Sequence, residues 1–282
     1  MLNLRFAPAR AESGPPAGRL VNTWRDDAGR VLAQAFRGPD RDWIDWPQLG
    51  RFAFHASSRV IEVTPRPGVP RAIIEDTFHT SLQPIILQVM GRQAMHASAA
   101  LGATGVLAFC GRAGTGKSTL AFAIARAGHR QVADDAIVLS HDPERVLVHP
   151  LPFAPQLRAE SLAFFGEDAP LGEPARRAAV GTPNLGAVFA LSPDASAGAH
   201  PRLRQLSAVE AFPVLLAHAH CFDVDDKAHT QAMVETYLEI AARVPVFDLA
   251  FAPRWDGLPA LVATVLGAVP DRRAPLGRAA RA

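Results

Sequence analysis

Disulfides are excluded as a framework by scarcity, because 282 residues hold only Cys110 and Cys221. Cys110 closes an apolar strand-like run, where a buried thiol is the common case. A reducing, cytoplasmic setting is the expectation. No apolar run approaches the roughly 18 residues of a membrane span. The start, MLNLRFAPARAESGPPAG, lacks the apolar core of about 7 to 15 residues found in secretory signals. Membrane is therefore not an expected partner. Lysine is nearly absent, with only Lys117 and Lys227 among 29 Lys plus Arg. The formal net charge is +2, and the arginines carrying the positive charge are scattered. Apart from the tail near Arg272, Arg273, Arg278 and Arg281 there is no basic block, so nucleic acid is not expected either.

What remains is a chain of ordinary apolar content, 49%, long enough for one large domain or two small ones. Residues 1–18 are aperiodic and read as a flexible N-terminus. Residues 19–72 read as a small β-rich module, with strands over 31–36, 51–55 and 60–63 broken by Gly-Pro and Ser-Ser signals. A Pro-rich connector over 65–70 precedes apolar residues at helical spacing from Ile73 to Met90, interrupted by Pro84. Residues 73–270 read as the main α/β domain, and 271–282 as a flexible tail. Within the main domain, strands are expected over 105–110, 130–133, 136–139, 146–149, 185–191 and 247–251. Helices are expected over 117–127, 209–219, 229–244 and 258–266, with Gly128 ending the first in a left-handed conformation. No internal repeat is present.

One of the two lysines stands in Gly111-Arg112-Ala113-Gly114-Thr115-Gly116-Lys117-Ser118, which fits the phosphate-binding loop G-x-x-x-x-G-K-[ST]. In such a loop backbone N–H groups and a helix N-terminus cradle phosphate oxygens, and the glycines allow the close approach. Lys117 is expected on the β/γ-phosphates and Ser118 on Mg²⁺, with Thr119 completing the nucleotide-binding set. The helix that follows leads away from the loop, and the extended segment 129–134 leads back over a similar distance, about 16 Å. Asp134 and Asp135 thus return to the phosphate edge. Either could serve the metal, leaving the other as base. Neighbouring strand residues point to opposite faces, so a site lined by both requires the strand to end or kink there.

The stretches GRAGTGKST and RAGHRQVADDAIVL resemble the catalytic domain of HPr kinase/phosphorylase and its shorter relatives, the HPr-kinase-like serine kinases, some of which modify peptides of bacterial biosynthetic clusters. The likeness is most specific over 91–160, where Met95-His96-Ala97-Ser98-Ala99 takes the place of the family's histidine-bearing segment. The resemblance implies an α/β P-loop kinase domain of the HPr kinase (PEP carboxykinase-like) type behind a small β-rich N-terminal module. It implies ATP and Mg²⁺, and phosphoryl transfer to a serine hydroxyl of a peptide, protein or small molecule. Asp134 would take the hydroxyl proton, Asp135 with Ser118 would hold Mg²⁺, and His96 would sit near the transferred phosphate. A homo-oligomer is compatible with it. Gly181-Thr182-Pro183-Asn184-Leu185-Gly186 does not supply the signature loop of full HPr kinases, which favours a dedicated serine or peptide kinase.

Other patterns read differently. His218, His220 and Cys221 have ligand-type side chains, yet they close an apolar helix and lack a second ligand pair for zinc. Asp223 to Asp226 reads as a cap for the next helix. Arg158 reads as a surface arginine, with a phosphate-pairing role as the alternative. Trp24, Trp43 and Trp46 read as core or interface filling. A nucleotide-binding regulator or assembly factor, or a plain hydrolase, is the alternative to a kinase.

Overall fold

Alternating apolar residues build the first sheet of this computed structural model, which describes residues 2–269 apart from 12–13, 15, 17, 27, 154, 156, 167–180 and 199. Its strands are β1 (Asn3–Phe6), β2 (Arg19–Arg25), β3 (Val31–Arg37), β4 (Asp42–Trp46), β5 (Gly50–Phe54) and β6 (Val60–Pro65), in the order β1-β6-β5-β4-β3-β2. The strands from β2 to β6 form an antiparallel meander, and β1 joins β6 in parallel. The start of the chain is thus not wholly aperiodic. Leu4 and Phe6 turn toward the module's core and explain why Asn3–Phe6 is held. Strand β4 escapes a hydropathy reading because Asp42 and Asp45 are buried in it. Arginines answer both, Arg37 for Asp42 and the pair Arg51 and Arg66 for Asp45.

Helix α1 (Arg71–Thr77) and helix α2 (Gln83–Val89) are joined without a break by a π turn over Phe78–Leu82. Pro84 stands in the first turn of α2, where it has no N–H to bond and its ring would crowd the carbonyl one turn back. The widened turn relieves this, with the Gln83 N–H bonding the Phe78 carbonyl. The proline therefore shapes the helix instead of interrupting it. Ile74, Phe78, Leu82, Ile86 and Val89 pack on the first sheet through Phe52, Phe54, Ile61 and Val63.

The main domain continues with β7 (Gln93–Met95), β8 (Ala97–Gly102), β9 (Gly105–Cys110), α3 (Lys117–Arg126), β10 (Arg130–Ala133), β11 (Ile137–His141), β12 (Val146–His149), α4 (Ala159–Phe165), β13 (Leu185–Pro193), β14 (Arg202–Gln205), α5 (Ala208–Leu216), α6 (Lys227–Arg243), β15 (Val246–Phe251) and α7 (Leu258–Ala268). Six strands form a mixed sheet in the order β10-β8-β9-β13-β15-β14, and β12-β11-β7 form a smaller antiparallel sheet. Strands β9, β13 and β15 run parallel. Strand β8 is antiparallel to both β9 and β10, so β9 and β10 end on one edge where β8 begins.

Alternation along β9 sorts the core. Val106, Ala108 and Cys110 face α5, α6 and the small sheet, while Leu107 and Phe109 face α3 and α7. Between α5 and α6 the chain reaches back to the N-terminal module. Phe222 enters that module's core, edge-on to Phe54 at 5.7 Å, and buried Asp223 pairs with Arg19 at 2.7 Å and Arg37 at 3.2 Å. Asp226 caps α6 by accepting from the His229 N–H, as the sequence leads one to expect. Trp24 and Trp46 are partly buried against the first core. The tail 271–282 and most of the Pro-rich stretch before Gly181 lie outside the described residues.

Candidate active site

The glycine loop leaves β9 at Gly111 and enters α3 at Gly116, whose φ of 93° only glycine adopts without strain. No side chain caps α3, so its first-turn N–H groups remain available to an anion. Lys117 is buried, and its ammonium donates to the carbonyls of Gly111 at 2.9 Å and Arg112 at 3.2 Å. Burial lowers the Lys117 pKa, with Asp135 foremost among the groups opposing the shift.

Register then sets the carboxylates. Ala133 pairs with Ala99, so the residue after β10 arrives beside Ser98 at the start of β8. The Ser98 hydroxyl donates to Asp134 Oδ1 at 2.8 Å and lies 3.4 Å from the Ser118 hydroxyl. Asp134 is buried there. Asp135 follows with φ at 76°, the one positive φ of a non-glycine among the described residues. That left-handed kink ends the strand's alternation, as lining a site with both carboxylates requires. Backbone of this kind costs about 1–3 kcal/mol, and such outliers concentrate at functional sites.

Asp135 is half exposed, and its Oδ1 stands 3.2 Å from His96 Nδ1. His96 occupies the single position between β7 and β8, where one extended segment passes from the small sheet to the large one. Its N–H donates to the His218 carbonyl at 2.8 Å, and the next N–H, of Ala97, donates to the Asp135 carbonyl at 3.1 Å. Burial lowers the His96 pKa against the pull of Asp135.

These groups share a cavity of about 880 Å³. It takes in Ala113, Gly114, Thr115, Gly116, Lys117, Ser118 and Thr119 together with His96, Ser98, Asp134 and Asp135. Gly111 and Arg112 instead line a smaller cavity of about 490 Å³ together with His218 and Asp248. Thr119 bonds Ser161 of α4 through its hydroxyl at 2.9 Å. Ser98 escapes sequence reasoning, and Arg158 enters it only as the less favoured alternative. Ser98 carries no signal beyond its place two residues after His96. Arg158, read first as a surface side chain with phosphate pairing as the alternative, lines the cavity with its guanidinium over the loop: a Cβ on Gly114 would lie 3.3 Å from its Nη2. Only the fold brings α4 to that position.

His218, His220 and Cys221 lie behind His96. The His220 N–H donates to the Ala94 carbonyl, and its ring meets His96 edge-on at 6.2 Å. His220 Nε2 is sealed from solvent without a hydrogen-bond partner, and burial takes the His220 pKa down to about 4. Among the described residues no group of three or more His, Cys, Asp and Glu could hold a metal by itself. Ser118 and the paired carboxylates offer hard oxygen donors, which suit Mg²⁺ shared with phosphate and water. No described helix is long and apolar enough to cross a membrane.

No family model matches the chain, and neither does any curated protein. Among solved structures it has a distant likeness to the HPr(Ser) kinase/phosphatase from Coxiella burnetii, at 17% identity and a TM-score of 0.34, over 62% of this chain and 95% of that one.

Proposed function

We propose that this chain is an ATP- and Mg²⁺-dependent kinase that phosphorylates a serine hydroxyl on a peptide, protein or small molecule. The observation carrying this reading is the meeting of the loop's ammonium and hydroxyl, Lys117 and Ser118, with two adjacent carboxylates in one cavity. The resemblance read from the sequence supplies the reaction class. In this reading the loop N–H groups and Lys117 bind the phosphates, and Arg158 adds a second cation over Gly114. Ser118 with a carboxylate would hold Mg²⁺, which neutralises phosphate charge when bound. The acceptor oxygen forms a bond to the γ-phosphorus as the bond to the ADP oxygen breaks, and an aspartate takes the hydroxyl proton.

The resemblance gives the base role to Asp134 and the metal role to Asp135. Exposure favours the reverse division. Asp134 is buried on the Ser118 side through Ser98, whereas Asp135 is half exposed to an incoming hydroxyl and is oriented by His96. Asp→Asn variants at the two positions separate the roles. The base variant keeps Mg²⁺-dependent ATP affinity and loses turnover, while the metal variant raises the Mg²⁺ concentration required. The reaction itself is tested with MgATP and a serine-containing peptide library, read by mass spectrometry for phosphoserine. ATP binding without a phosphorylated product would favour a nucleotide-binding regulator.

A further inference from the structure

The cavity has two chemically different ends. One is the polar end of loop, lysine and carboxylates. The other is walled by Phe251, Leu258 and Leu261 and bordered by Trp255, in the turn between β15 and α7, where the ion-paired Arg254 and Asp256 flank the indole at the rim. The polarity gradient is that of a nucleotide, with phosphates at one end and an aromatic base at the other.

The fold ties the two ends together. Leu258 and Leu261 of α7 pack in one cluster with Leu120 and Ile124 of α3, so the Trp255 turn is fixed beside the helix that begins at the phosphate loop. Trp255 is stacked on Phe164 of α4, centroid to centroid 4.6 Å with planes 16° apart. Trp255 lines the cavity and Phe164 does not. One face of the indole is thereby backed by an aromatic ring, and the ring keeps 39% exposure. A backed, partly exposed indole on an apolar wall is a stacking platform that loses little freedom on binding. The volume of about 880 Å³ falls within the usual ligand-pocket range of about 300–1,000 Å³.

We infer that Trp255 is the base-stacking platform of a purine nucleoside triphosphate whose phosphates occupy the Gly111–Ser118 loop. The inference rests on the nucleotide reading of the loop and adds to it the base subsite and its selectivity. The indole discriminates by stacking area, so ATP and GTP are held more tightly than UTP, whereas Arg254 and Asp256 at the rim do not favour one purine on area.

Calorimetric titration of the full chain with ATP, GTP, UTP and inorganic tripolyphosphate, each with Mg²⁺, tests this. Trp255→Ala is expected to weaken ATP by roughly 5- to 150-fold, the range for loss of one base–aromatic stack, and to leave tripolyphosphate unchanged. Trp255→Phe is expected to retain most of the ATP affinity. Equal ATP affinity in wild type and Trp255→Ala, with tripolyphosphate bound by both, overturns the base subsite and leaves the phosphate loop standing. Failure of wild type to bind either ATP or tripolyphosphate overturns the loop reading and this inference with it. Photolabelling of the wild-type chain with an azidoadenine analogue of ATP needs no variant. Label on the peptide holding Arg254 to Leu258 supports the subsite, and label confined elsewhere overturns it.

Discussion

Asp135 Oδ1 lies 3.2 Å from His96 Nδ1, and the backbone supports the pair, since the Asp135 carbonyl accepts the N–H of Ala97. A carboxylate in a left-handed kink thereby orients an imidazole at a strand junction, with Lys117 in the same cavity.

The kink itself is testable through stability. Asp135→Ala must hold an ordinary side chain at φ near 76°, and Asp135→Gly need not. Both lose the carboxylate, so both should lose turnover. The alanine variant is expected to be less stable than the glycine variant by about 1 kcal/mol, measured by urea unfolding. Equal stabilities would show that the backbone is unstrained there.

Lys117→Met removes a buried cation whose partners without nucleotide are loop carbonyls. The fold should persist, because methionine fills a similar volume. MgATP raises the wild-type melting temperature if it binds the folded chain, and that rise should vanish in the variant. A retained ligand-induced shift would remove Lys117 from the phosphate site.

Acid should weaken the fold through His220. Burial holds its folded pKa at about 4, below the usual histidine range, so between about 6.5 and 4 the unfolded chain takes up a proton that the folded chain does not. Stability is then fully present above the unfolded pKa and declines as pH falls through that window, by on the order of 3 kcal/mol. His220→Phe should flatten this dependence in chemical unfolding measured at several pH values. An unchanged slope would assign the acid sensitivity elsewhere.

Asp223→Ala should loosen the N-terminal module from the main domain. The carboxylate is 2% exposed and meets Arg19 and Arg37, both of which keep contact with water. Because the stranded arginines can resolvate, the expected cost is about 1–3 kcal/mol, less than for a fully buried pair. Earlier proteolysis within residues 19–65 would accompany it. Wild-type stability in the variant would make the ion pairs incidental.

The parts of the site most legible in the sequence were those carried by local rules. The loop glycines, the helix from Lys117, its stop near Gly128 and the return of Asp134 and Asp135 all follow from spacing. The kink at Asp135 follows from requiring both neighbours in one place. Strand β4 was hidden because its buried aspartates obey ion pairing instead of hydropathy, and β1 because four residues are too short a period to read. Pro84 reads as a break until tertiary packing shows a π turn that accommodates it. Arg158, Ser98 and Trp255 come from three separate segments, and no local pattern announces that α4, β8 and the turn before α7 converge on one cavity. The chain's nonlocal packing determines that convergence.

The central claim is tested most directly by supplying MgATP to the full chain together with a serine-peptide library and an extract of the source cells, then searching for phosphoserine by mass spectrometry. The expected result is a phosphorylated acceptor that appears with wild type, is absent with Lys117→Met and with the base aspartate changed to asparagine, and needs more Mg²⁺ to appear with the other aspartate changed. Bound ATP with no phosphorylated acceptor in either mixture, or the same product from wild type and Lys117→Met, would contradict it.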